Sequence, residues 1–452
     1  MRDYSPKRRT ALVFTGSGST GAYHAGALRA LDESGVKIDL VVGSGIGAVS
    51  AAYAAVGSGP RLYGKGGFWD GVRWRSFYRV RPTLRLALAL LGTSFAIFAL
   101  PVLLGVVLGV LFPLLLIADR VSPGLASRAL SLLWVAPEKL SGPYLAAQAV
   151  PVFALAMLAI LAAAVVYFRD RRRFAEAFES LLDADRGLER LRRGLWEVAR
   201  GAALSGGPPS EAELGRRYVA LLAENLGEPG FRELVLRTAD LDRGEALAFT
   251  VLREGRERAG EGPLADAVDL RAPGHDALLF DALATSVLCP MAMPLRRVAL
   301  PRDAVHGGET HRLTDATFVP GSGIAEALAA GAEQVIVVTG VPETAAPLAR
   351  RRGPLARIDA TVRTLERQAA GEIGLLRDEV DLWVIRPDHR ALGPMELDGT
   401  RDPATEVLQT TDDLLELGFR DAYRQFVEPV VGQSPIPQRE EGKYRDTQPV
   451  GL

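Results

Sequence analysis

The stretch VVGSGIGAVS, residues 41–50, closes an apolar run and opens into small residues. It reads as a strand, a tight glycine turn and the start of a helix. A G-x-S-x-G elbow places a nucleophilic serine on such a turn, flanked by glycines because backbone and helix pack closely there. Here Gly43 and Gly47 are present and the residue between them is Gly45. The central residue of an elbow sits at positive φ, which costs a serine on the order of 1–3 kcal/mol and glycine almost nothing. Gly45 therefore keeps the shape and removes the hydroxyl. Ser44 does not step in, because moving the frame by one residue puts Val42 and Ile46 where glycines are required.

Working outward, residues 11–60 read as strand (ALVFT), glycine turn, helix (GAYHAGALRALDES), strand (IDLVV), the turn above, and a second helix. That βαβα order argues for an α/β domain around a mostly parallel sheet. The first turn, GSGSTG at 16–21, has the spacing of a dinucleotide fingerprint. A nucleotide site also wants an acidic residue at the far end of the second strand. Asp39 instead precedes the strand LVV, and the strand ends in Gly43. Two other uses of the turn stay open: an anion cradle of backbone N–H groups at a helix N-terminus, and a plain strand-to-helix turn. A third stretch, LTDATFVPGSGIAEALAAGAEQVIVV at 313–338, sets Asp315 on a turn before a proline–glycine loop, a helix and a strand.

These three elements, in this order, resemble the patatin-like phospholipase family, whose members carry a G-G-G-x-R-G oxyanion loop, a G-x-S-x-G elbow and a D-G-G/A aspartate. Linking stretches match too: GAYHAGALRAL after the first loop, ELVLRTADLDRGEALAF as paired strands, and ALATSVLCPMAMP as the A-S-x-A-x-P segment. The resemblance covers residues 9–60 and 228–345. It implies a patatin-like α/β/α sandwich and a Ser–Asp dyad, with Gly16, Gly18 and Gly21 on the oxyanion loop, Gly45 at the nucleophile position and Asp315 as the dyad aspartate. The departures are specific. Ser17 replaces a glycine, Thr20 stands where the family has arginine, and Ala316 and Thr317 follow the aspartate.

The formal charge of −1, from 53 basic and 54 acidic side chains, gives no global pull toward nucleic acid. The single cysteine, Cys289, excludes an intramolecular disulfide and a Cys-based zinc site. The five histidines show no pair at metal-ligand spacing. Neither a metal nor a cofactor is expected.

Two runs are unusually apolar. Leu86–Ala118 and Ser141–Phe168 carry no charge, and uncharged runs beyond about 18 residues are the signature of a membrane span. Arg73, Arg75, Arg79, Arg81 and Arg85 precede the first run, and Arg169 and Arg171–Arg173 follow the second. The positive-inside rule then places both outer ends in the cytoplasm. The expected organisation is a patatin-like α/β domain in two parts, residues 9–80 and 169–430. A two-helix transmembrane hairpin at 84–168 interrupts it, and a disordered tail follows at 433–452. Membrane lipids are the expected partners, with a protein partner left open.

Three functions fit this reading. The first is a membrane-anchored pseudohydrolase that keeps an acyl-lipid pocket or a partner surface without the elbow serine. The second is an active lipid acyl hydrolase using another nucleophile or an Asp315-activated water. The third is a nucleotide-binding module built on GSGSTG.

Overall fold

The computed structural model describes residues 4–81, 182–200, 206–253, 262–288, 292–302, 307–343, 354–377, 380–388, 396–401 and 408–431, with isolated positions between 85 and 120. The chain divides into two compact units, residues 1–79 with 184–452, and residues 80–183.

The first unit is built on a nine-stranded sheet. Its strands are β1 (Thr10–Gly16), β2 (Leu40–Gly45), β3 (Glu233–Asp240), β4 (Glu245–Val251), β5 (Val268–Asp269), β6 (Arg296–Ala299), β7 (Thr310–Asp315), β8 (Gln334–Thr339) and β9 (Asp381–Ile385). The order is β9-β8-β1-β2-β3-β4-β5, and β7 joins β3 and β6 off that path. From β9 to β3 every pairing is parallel, whereas β3 pairs antiparallel with both β4 and β7. The central strands β1, β2 and β8 are apolar runs because helices cover both faces of a parallel sheet. The unit's α-helices are α1 (Thr20–Glu33), α2 (Gly47–Ala55), α3 (Gly59–Tyr63), α4 (Trp74–Phe77), α5 (Asp185–Ala199), α6 (Glu211–Asn225), α7 (Leu279–Val287), α8 (Ile324–Ala329), α9 (Pro354–Leu376) and α10 (Thr411–Ala422).

Alternation along the strands assigns the faces. Ala11, Val13, Leu40, Val42, Val235, Val335 and Val337 pack with Ile324 and Ala327 of α8 and Ile373 of α9. On the opposite face, Gly47 of α2 lies so close to β1 that a Cβ there would come 2.2 Å from the Phe14 carbonyl oxygen. An α/β/α arrangement with a mostly parallel sheet is therefore observed. The segments 233–237, 246–251, 334–338 and 381–385 read as strands in the sequence, and all four form. Ser210 caps α6 by accepting from the Glu213 amide at 3.3 Å, the helix start that a serine three residues before a glutamate predicts.

Two expectations need correction. The two-helix transmembrane hairpin is not part of the observed fold. A span needs about 20 consecutive apolar helical residues, and among the described residues no helix is long and apolar enough to cross a membrane. The run at 141–168 and the tail at 433–452 lie outside the described residues, as does most of 86–118. An absence of charge establishes only that a segment avoids water; the helical continuity must come from the structure. The sequence from about Thr405 to Phe426 reads as a final helix. It begins at Thr411, because Thr410 and Asp413 form a reciprocal capping box, and after Ala422 it widens into a π-helical turn, Tyr423–Val431.

α1 is held against α10 by two glycines. A Cβ on Gly26 would stand 1.8 Å from the Leu415 carbonyl oxygen, and one on Gly418 would stand 2.1 Å from that of Tyr23. The Tyr23 hydroxyl adds a hydrogen bond to Asp421, 3.1 Å away. Both obstacles are backbone, so the helices must separate to admit a methyl group. Gly418→Ala is expected to lower unfolding stability by about 1–3 kcal/mol in urea titration, and Tyr23→Phe by about 1 kcal/mol. A Gly418→Ala protein as stable as wild type would contradict this packing.

Candidate active site

The tips of β1, β2 and β7 converge at one end of the sheet. β1 runs into the GSGSTG turn with Gly16 at φ +139° and Gly18 at φ +54°, both in the region that favours glycine. The turn closes on itself: the Thr20 amide donates to the Ser17 carbonyl, and the Gly21 amide donates to that of Gly18, each at 3.2 Å. Gly21 is bare for a different reason. A Cβ there would lie 2.0 Å from Cζ2 of Trp69, whose buried ring packs against the start of α1. Of the three glycines expected to form an oxyanion loop, Gly16 and Gly18 shape the turn and Gly21 makes room for an aromatic ring.

β2 ends in the elbow. Gly45 has φ +62°, the conformation read from the sequence. Its flanking glycines serve close packing, Gly43 against the backbone of Ala48 and Gly47 against Phe14. A Cβ built on Gly45 stands 3.1 Å from Oδ1 and 3.3 Å from Oδ2 of Asp315. Position 45 and Asp315 thus face each other as nucleophile and aspartate of a dyad would. The same Cβ falls 2.4 Å from the Gly16 carbonyl oxygen. That oxygen is fixed: Gly16 pairs with Gly45 at the end of the parallel ladder and accepts from the Ile46 amide at 2.9 Å.

Asp315 ends β7 and caps a single 3-10 turn, Ala316–Phe318. Its Oδ1 accepts from the Thr317 amide at 2.8 Å and from the Thr317 hydroxyl. Oδ2 is buried and has no hydrogen-bond partner among the described residues. Burial pushes this carboxyl up to about 6, with the two Thr317 bonds pulling the other way. Thr317, a departure from the family's small pair, is therefore what orients the aspartate.

Sequence reasoning missed α9. The Ser17 hydroxyl donates to Oε1 of Glu366 at 2.6 Å, and Glu372 accepts from the Ser322 amide at 2.5 Å and its hydroxyl at 2.8 Å. The helix is thus tied to the glycine turn and to the loop beyond Asp315. Arg363 on the same helix is buried against Asp359 and Glu396, at 2.9 and 2.8 Å. No motif marks Glu366. The only available signal was the acidic residues sharing the inner side of an amphipathic helix with Ile358 and Val362. Two further groups brace the site from below. Arg237 of β3 bonds Glu326 at 2.6 Å and the carbonyls of Pro320 and Gly321. His24 is fully buried with Nε2 3.2 Å from the Thr15 carbonyl oxygen, and burial drops its pKa to about 3. It is a neutral packing residue.

Burial also pushes Glu366 up to about 8. The Ser17 bond and Arg363 oppose that rise, and the Asp315 charge adds to it. Both carboxyls hold protons more tightly in the folded chain than in the unfolded one, so folding is favoured at low pH and loses stability as pH climbs through 6 and then 8. Melting temperature is expected to fall between pH 6 and 8 in wild type and to fall less in Glu366→Gln. Parallel profiles would contradict the placement of Glu366.

Residues 12–104 match the family model described as patatin-like phospholipase. No curated protein matches the chain. Among solved structures the fold is similar to the crystal structure of VipD from Legionella pneumophila, at 14% identity and a TM-score of 0.33. That alignment covers 93% of this chain and 66% of VipD, so this chain spans just under two thirds of that protein's length. A likeness at that score adds no argument. The family match falls on the segment that carries the glycine turn and the elbow, and over residues 12–104 the resemblance to patatin-like phospholipases first read from those motifs is shown.

Proposed function

We propose that this chain is a patatin-fold protein of acyl lipids whose elbow has been taken out of use. It holds its ligand without forming an acyl-enzyme at position 45, and is a pseudohydrolase with respect to the family's Ser–Asp reaction. One observation carries this reading: the Gly16 carbonyl oxygen stands 2.4 Å from the place of a Cβ on Gly45. Without the serine, covalent catalysis at the elbow is lost, although Asp315 remains oriented beside it. The ligand class rests on the family's phospholipase chemistry. A second reading, hydrolysis through another nucleophile, is favoured by the buried contact of Ser17 with Glu366.

Membrane-surface binding is part of the proposal. Arg73, Arg75 and Arg79 are exposed around the partly buried Trp74, a cationic patch with an aromatic anchor. Each cation near an anionic leaflet is worth about 1 kcal/mol, and charge reversal turns attraction into repulsion. The purified chain is expected to float with anionic phospholipid vesicles at low salt, and the triple variant R73E/R75E/R79E to lose at least tenfold in bound fraction. Equal flotation of the two proteins would remove the surface from the proposal.

The elbow itself is tested by Gly45→Ser. The substitution brings positive-φ strain of about 1–3 kcal/mol and a collision with a fixed carbonyl. It is expected to lower the melting temperature and to gain no fluorophosphonate label at residue 45. Strong label there, dependent on Asp315, would show that the site still accepts a nucleophile and would overturn the reading.

A further inference from the structure

Serine is missing at 45, where the family pattern has it, and serine stands at 17, where that pattern has glycine. The two positions adjoin, since Ser17 follows the residue paired with Gly45. The Ser17 hydroxyl is 2.6 Å from Oε1 of Glu366, and the two residues are only 2% and 6% exposed. Close by, the Thr20 hydroxyl is buried with no hydrogen-bond partner among the described residues. It lies 3.1 Å from the place of a Cβ on Gly16. We propose that the reaction has moved across the strand pair: Ser17 is a displaced nucleophile, Glu366 its general base and Thr20 a donor to the oxyanion, in a slow hydrolase of acyl esters. This inference rests on the second reading above.

The chemistry closes without a co-reactant beyond water. Ser17 Oγ attacks the ester carbonyl carbon while its proton passes to the Glu366 carboxylate. The carbonyl oxygen becomes the oxyanion, stabilised by the preplaced Thr20 hydroxyl. Collapse breaks the ester C–O bond, and the leaving alkoxide takes the proton from Glu366 and departs as the alcohol. Water then attacks the acyl-Ser17, giving its proton to Glu366, and the returning serine recovers it as the carboxylic acid leaves. Glu366 works only when ionised. With its carboxyl pushed up to about 8, the rate rises with pH through that region. The groups facing it are Ser17 from the glycine turn, Asp315 from the turn after β7, and Arg363 from its own helix.

The same hydrogen bond could serve solely to tether α9, and a labelling experiment separates the roles. The 452-residue chain is treated over hours with a compact fluorophosphonate at pH 7 and pH 9, and labelled peptides are mapped by mass spectrometry. The expected result is a label on Ser17, stronger at pH 9, unchanged in Ser44→Ala and at least tenfold weaker in Glu366→Gln, which keeps an acceptor for the hydroxyl. A label that maps to Ser17 but persists in Glu366→Gln, or shows no rise with pH, would overturn Glu366 as base. A label on a different serine would overturn Ser17 while leaving a hydrolase reading in place. No label at either pH would end both. Should Ser17→Ala fail to fold, the wild-type map and Glu366→Gln still decide.

Discussion

The site is governed by one backbone contact, the pairing of Gly16 with Gly45 at the tips of β1 and β2. Parallel strands in register carry their ladder to the last residue of each, and the Gly16 carbonyl is then aimed at the Ile46 amide. This requires a bare Cα at 45, because a side chain would occupy the space of that oxygen. It also requires Gly16 at φ +139°, which no side chain adopts at ease. The turn beyond is pulled in behind it, which brings Ser17 against α9 and packs Gly21 beneath Trp69. Loss of the elbow serine and closure of the glycine turn are two sides of one arrangement.

Much of this was legible in the sequence because short-range rules governed it. The apolar runs of β1, β2 and β8 could only be central strands. The G-S-G-I-G spacing fixed a positive φ at 45, and Asp315 announced itself by its place between a strand and a proline–glycine loop. What was not legible depended on contacts distant in sequence. Ser17 and Glu366 are 349 residues apart, and nothing local to either suggests the other. Gly21 is assigned to the oxyanion loop by its motif spacing, and its lack of a side chain also answers to Trp69, 48 positions away. The Thr317 hydroxyl on Asp315 was equally hidden, since threonine after an aspartate has many uses. The apolar runs misled for a different reason: hydropathy records avoidance of water, and only the backbone shows whether a continuous helix is present.

The carboxyls give the site its chemical character. Asp315 and Glu366 share a water-poor space, and Arg363 on the same helix lowers the pKa of Glu366. Burial raises both, one to about 6 and the other to about 8, and the Asp315 charge adds to the rise of Glu366. Around neutrality the pair therefore holds close to one proton, an arrangement familiar from paired carboxyls that divide acid and base roles. In the family's dyad one aspartate faces one serine. Here a second carboxyl comes from a helix that the motifs do not include, and it takes hold of a serine the family pattern lacks.

The contact on which all of this turns is open to direct observation. Residue-resolved hydrogen exchange of the 452-residue chain reads the Ile46 amide, the donor to the Gly16 carbonyl. Amides sealed into a central ladder exchange only through large-scale opening. The expected result is protection of Ile46 comparable to that of Val13 and Val42 in the middle of β1 and β2. Exchange at the rate of an exposed loop would show that the glycine turn stands open and that the elbow at Gly45 is free to receive a side chain, contradicting a closed site.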